Sequence, residues 1–107
     1  MIDNGSSMGD KKIENTIAFN AGMRGKKNSE YDGGHRVPFF IKYPNGKLEA
    51  GKDIKNISAH IDVLPTLIEL CGLKLNKPIN FDGKSLMPLI NGSDENWSER
   101  LLSLIHI

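Results

Sequence analysis

Asp3 and Asn4 set a carboxylate beside an amide oxygen, and Gly5 frees the backbone to turn behind them. Hard oxygen donors of this kind suit Ca²⁺ or, failing that, Mg²⁺. The same three residues also make an ordinary Asn-Gly turn. Because Ca²⁺ takes roughly 6–8 oxygens, two donors would need partners from elsewhere. Downstream, residues 22–36 gather Arg24, Lys26, Lys27, His35 and Arg36 with Gly22, Gly25, Gly33 and Gly34. Cations beside glycine-freed amides suit an oxyanion, and a solvated basic loop has the same composition. The Gly25-Lys26 pair is no P-loop, since it lacks both the upstream Gly and the following Ser or Thr. His35 and His60 stand at no zinc-ligand spacing. Four Asn-x-Ser triplets, at Asn4, Asn56, Asn91 and Asn96, are too short a signal to establish export.

The elements that must hold these residues are unevenly legible. Residues 3–36 lack a sustained apolar period and read as a long site-building loop, with Ile13, Ile17, Phe19 and Met23 available to anchor it. Residues 37–43, β-branched and aromatic with Pro38 at their start, predict a strand turned by Pro44-Asn45-Gly46. From Asp62, Leu64, Leu67, Ile68 and Cys71 recur at helical spacing and predict a helix over 62–71 with that face buried. Asp62 suits its N-cap, Pro65 its first turn and Gly72 its left-handed end. Cys71 is thereby expected in the core as a small hydrophobe. Ser85 and Gly92 bracket a second short helix over 86–91.

Composition limits the function classes. A chain of 107 residues fits one small unit or part of one. Fourteen Lys and Arg against thirteen Asp and Glu give neither a basic face nor an acidic tail, which disfavours nucleic acid and anionic membrane as partners. No apolar run exceeds three residues, so no membrane span is expected. A single cysteine permits no internal disulfide.

Taken in order, Asp3-Asn4-Gly5, Arg24-Gly25-Lys26-Lys27, Tyr31-Asp32-Gly33-Gly34-His35-Arg36-Val37-Pro38-Phe39-Phe40, His60-Ile61-Asp62-Val63-Leu64-Pro65-Thr66-Leu67 and Asp82-Gly83-Lys84-Ser85-Leu86-Met87-Pro88-Leu89 resemble the later part of the catalytic domain of formylglycine-dependent sulfatases. The resemblance runs over residues 3 to about 92 and looks like an arylsulfatase of the alkaline-phosphatase-like superfamily. It implies an α/β fold, a piece of an α/β/α sandwich with an incomplete central sheet. Residues 1–107 would be a partial catalytic domain, with 101–107 as a non-native tail.

By resemblance, Asp3 and Asn4 ligate the divalent cation, usually Ca²⁺. Lys27 contacts the substrate sulfate, with Lys26 as the alternative, and His35 lines the pocket or holds the loop. The substrate would be a sulfated small molecule or polysaccharide, and the parent protein periplasmic or extracellular. The family's nucleophile is a formylglycine made from the Cys or Ser of a Cys/Ser-x-Pro-x-Arg motif, and this sequence contains no such motif. That nucleophile and the rest of the sulfatase domain are expected in a missing upstream part, and the 107-residue chain alone is expected to lack turnover. The alternatives are a phosphoryl or phosphodiester hydrolase of the same superfamily and a noncatalytic anion-binding module.

Overall fold

The structure, a computed structural model, describes residues 1–9, 12–13, 16–46, 48–93 and 97–102. It divides into two compact units, Met1–Ile41 and Lys42–Ile107. The expectation of a non-native tail lies, from residue 103 onward, outside the described residues.

In the first unit two short antiparallel strands, β1 (Lys12–Ile13) and β2 (Thr16–Ile17), pair with Lys12 opposite Ile17 and Ile13 opposite Thr16. The only other regular element described in this unit is a single helical turn, α1 (Asp32–His35). The other described residues of this unit are loop, as the glycine-rich composition predicts. The loops are held by main-chain hydrogen bonds between segments distant in sequence. Gly5 N–H donates to Gly34 C=O at 2.9 Å, Lys27 N–H to Ser6 C=O at 2.9 Å, and Gly33 N–H to Arg24 C=O at 2.8 Å. Glycine is required where these backbones meet. A Cβ on Gly5 would lie 1.8 Å from the Gly33 oxygen, and one on Gly33 would lie 2.4 Å from the Gly25 oxygen.

The strand predicted over residues 37–43 is not formed. Its composition favours extended backbone, yet a strand exists only where a neighbour completes its ladder, and among the described residues none pairs with it. Phe40 is therefore largely exposed.

In the second unit a 3₁₀ turn, His60–Asp62, leads into α2 (Val63–Leu70), followed by α3 (Met87–Ile90). Both predicted helices are present. Both end as their glycines predict: Gly72 at φ 61° and Gly92 at φ 75° take the left-handed conformation. Leu73 N–H then reaches back to Ile68 C=O, and Ser93 N–H to Pro88 C=O. Lys52 Nζ adds a hydrogen bond to the Ile90 carbonyl at the end of α3.

The buried face of α2 differs from the one predicted. Leu64 is 56% exposed and Leu67 45%, Ile68 is half-buried, and Cys71 is exposed rather than in the core. The buried positions are Asp62, at 0%, and Thr66, at 1%. Helical period reveals which residues share a face, whereas the packed face is decided by what other segments supply. Here the segment after Gly83 brings backbone amides to Asp62 and Thr66. Thr66 Oγ1 accepts Leu86 N–H at 2.8 Å and donates to Asp62 C=O at 2.5 Å. Leu86, Met87 and Leu89 close over this hub as the apolar core.

Thr66→Val keeps the shape and strands the buried Leu86 amide. It is expected to cost about 1–3 kcal/mol, read as a lowered urea midpoint, whereas Thr66→Ser should retain most of the stability. A valine variant as stable as wild type would show that the hydroxyl does not hold this packing.

Candidate functional site

The sequence-predicted residues Asp3, Asn4, Lys27 and His35 lie on three segments of the first unit that the glycine contacts bring together. Asn4-Gly5-Ser6 runs beside both others: Gly5 is bonded to the carbonyl of Gly34, the residue before His35, and Ser6 accepts the amide of Lys27. Residues far apart in sequence thus become backbone neighbours of one short loop.

At one end, Asn4 Nδ2 donates to Asp3 Oδ2 at 2.6 Å. That contact uses the amide's donor end and leaves Asn4 Oδ1 and the second Asp3 oxygen as acceptors. Both are hard oxygens of the kind Ca²⁺ takes as ligands. Among the described residues no group of three or more His, Cys, Asp or Glu side chains gathers for a metal.

At the other end, Ser7, Lys26, Lys27, Asn28 and Ser29 line an open depression of about 410 Å³. Lysine, serine and asparagine are residue types that can bind an oxyanion by charge and hydrogen bonds. The arm carrying the lysines is tightly folded. Ser29 N–H donates to Lys26 C=O at 2.9 Å while Lys26 N–H donates to Ser29 Oγ at 3.2 Å. Asn28 sits at φ 69°, a left-handed position that asparagine tolerates better than most residues. Behind the arm, the Arg24 guanidinium stacks 3.7 Å from the centroid of the Tyr31 ring.

His35 is half-buried, with Nε2 3.8 Å from Asp32 Oδ1 and its Nδ1 buried without a hydrogen-bond partner among the described residues. Arg36 lies 3.6 Å from the other Asp32 oxygen. Asp32 therefore faces its own helical turn and lies within ion-pair distance of both side chains.

Sequence reasoning misses Asn20 in the first unit and, in the second, the role that the Asp62 side chain plays. Asn20, 8% exposed, fixes the start of the lysine arm. The available signal is an asparagine just before a run of glycines and basic residues. Asp62, in the second unit, has the sequence position of a helix cap. It does stand at the N-cap of α2, but its side chain makes no cap hydrogen bond there. The carboxylate instead accepts Ala59 N–H at 2.7 Å, Lys84 N–H at 2.9 Å and both terminal nitrogens of Arg100, one of them at 2.8 Å. Burial alone would raise this carboxyl's pKa. The Arg100 hydrogen bonds, the two amides and the Arg100 charge outweigh burial and hold it below the ordinary aspartate value.

The chain matches a family model described as N-sulphoglucosamine sulphohydrolase, C-terminal, over residues 25–104. It belongs to the sulfatase family. It is similar to human steryl-sulfatase, 32% identical over 79 residues that make up 74% of this chain and 13% of that protein. It is also similar to the uncharacterized sulfatase YdeN of Escherichia coli K12, 30% identical over 93 residues, or 87% of this chain and 16% of that protein. A sulfatase of Formosa agariphila is 36% identical over 91 residues, covering 82% of this chain and 15% of its own length. The chain thus spans about 13–16% of the length of these curated relatives. No solved structure matches it. No helix among the described residues is long and apolar enough to cross a membrane.

Proposed function

We propose that this chain supplies the metal-side loop and the sulfate-binding arm of a sulfatase that hydrolyses sulfate monoesters, within an α/β/α domain of the alkaline-phosphatase-like kind. Family membership supports the reaction class. The observation that carries the assignment to these residues is the hydrogen bonding of Ser6 to Lys27 and of Gly5 to Gly34, which puts Asn4, Lys27 and His35 on adjoining backbone.

Sulfate ester cleavage develops negative charge on the sulfuryl oxygens and on the departing alkoxide, so positioned positive charge lowers the barrier. Lys27 binds a sulfuryl oxygen through its ammonium and retains the contact as charge builds. His35 borders the site without attacking sulfur. Asp3 and Asn4 would hold Ca²⁺ as two of its oxygen ligands, and the ion would supply Lewis-acid stabilisation of the sulfate group. A formylglycine nucleophile and the remaining ligands come from the rest of the sulfatase domain.

Lys27→Ala in the complete sulfatase is expected to lower kcat/KM by roughly 10- to 150-fold, the equivalent of losing one charge-assisted contact of about 1.5–3 kcal/mol. Lys26→Ala should cost much less, as for a solvated charge. Catalytic efficiency of both variants toward a chromogenic aryl sulfate, at fixed ionic strength, checks this. A larger loss at Lys26 would move the sulfate contact one residue earlier.

A further inference from the structure

We propose that Asn20 is a positioning residue for Lys27, its side-chain amide setting the bend from which the lysine arm leaves. The proposal deepens the reading of Lys27 as the sulfate-binding group and rests on it.

The arm from 20 to 29 has no ladder of its own and is bent repeatedly through left-handed backbone: Ala21 at φ 57°, Gly22 at 71°, Gly25 at 90° and Asn28 at 69°. A left-handed alanine costs roughly 1–2 kcal/mol, so its surroundings must impose it. Asn20 is the one buried residue at that bend, among exposed and half-buried neighbours. Its Nδ2 donates to Met23 C=O at 2.6 Å and to Gly25 C=O at 3.4 Å, and its own carbonyl accepts Met23 N–H at 3.2 Å.

The two carbonyls gripped by Asn20 bracket Arg24, whose own carbonyl accepts the Gly33 amide. Two residues beyond Gly25, the Lys27 amide meets Ser6. Orientation set at Met23 and Gly25 is therefore passed to Lys27 through a few peptide planes. Both partners are acceptors, so the contact needs a donor group, which the amide NH₂ supplies with its two hydrogens. The other end of the amide makes no comparable contact, since Asn20 Oδ1 is buried and has no hydrogen-bond partner among the described residues.

Asn20→Asp isolates this donor, since it keeps the side chain's size and sets a carboxylate oxygen against two carbonyls. The test uses the complete sulfatase that carries this chain, with inorganic sulfate as the probe, titrated calorimetrically well below the melting temperature, and limited trypsin cleavage at the Lys27–Asn28 bond. Asn20→Asp and Asn20→Ala are expected to weaken sulfate binding at least tenfold and to speed that cleavage at least tenfold. The melting temperature of the protein should stay unchanged. A residue that only added general stability would shift melting and leave the affinity of the folded protein alone. Wild-type affinity and wild-type cleavage in Asn20→Asp would overturn the proposal. If Lys27→Ala binds sulfate as well as wild type does, or wild type binds none, the role given to Lys27 fails and this proposal with it. The cleavage rates would then report separately whether Asn20 holds the arm.

Discussion

Replacing Asp62 by alanine is expected to destabilise the second unit by about 3–5 kcal/mol, because the change leaves Arg100 buried without its counter-charge and strands two amides. The carboxylate is fully buried and is the shared acceptor for Ala59, Lys84 and Arg100. It therefore joins the turn before α2, the segment before α3 and the last described segment of the chain. Gly83 fits against the same turn, where a Cβ would lie 2.1 Å from the Ile61 oxygen. Trp97 is the chain's single tryptophan, and Arg100 lies 5.4 Å from the centroid of its ring, so its fluorescence reports on this contact. The urea midpoint of that signal is the measurement. Asp62→Ala combined with Arg100→Met should recover part of the loss, since no unpaired charge is then buried. A single Asp62→Ala variant with an unchanged midpoint would show that the carboxylate does not join these segments.

The same group gives the second unit an acid limit. Its folded pKa lies below the ordinary aspartate value, so its contribution is fully present above the unfolded pKa of about 3.9 and is lost as pH falls through the lower folded value. Asp62→Asn should remove that part of the acid dependence. An unaltered acid slope in Asp62→Asn would assign it to other carboxylates.

The second large effect is expected at the glycines joining the loops of the first unit. Gly5→Ala would drive a methyl group to 1.8 Å from the Gly33 oxygen, and Gly33→Ala would press on the oxygens of both Gly25 and Arg24. Backbone cannot rotate away as a flexible side chain does. Relief requires breaking the Gly5–Gly34 or Gly33–Arg24 hydrogen bond, at a cost of about 3 kcal/mol or more, beyond ordinary overpacking. Gly22→Ala is the control from the same arm. A Cβ there meets nothing within 4 Å, and only its φ of 71° opposes the change, by roughly 1–2 kcal/mol. Hydrogen exchange at the amides of Gly5 and Lys27 should be protected in wild type and Gly22→Ala, and accelerated in Gly5→Ala and Gly33→Ala. Equal protection in all four proteins would mean that these backbone contacts do not hold the loops. Because the contacts join Asn4, Lys27 and His35, the same variants should weaken sulfate binding without altering a charged side chain.

Family membership was legible in the order of short motifs, from Asp3-Asn4-Gly5 to Asp82-Gly83-Lys84-Ser85. So were the two helices of the second unit and the glycines ending them, because capping and helical period act over a few residues and need no distant partner. Local composition also directs the search for chemistry to residues 3–36, where the proposed site residues Asp3, Asn4, Lys27 and His35 stand.

Whatever depended on a distant partner was decided only in three dimensions. Residues 37–43 have the composition of a strand, but a ladder requires a second chain segment, and none among the described residues provides it. The leucines of α2 share a face as their spacing predicts, yet hydrogen-bonding amides from residues 84 and 86 drew Asp62 and Thr66 inward instead. The grip of Asn20 on two carbonyls and of Asp62 on Arg100 depends on how the loops close. Composition and spacing record which groups a segment offers; which of them are used follows from the groups that tertiary contact sets within hydrogen-bonding distance.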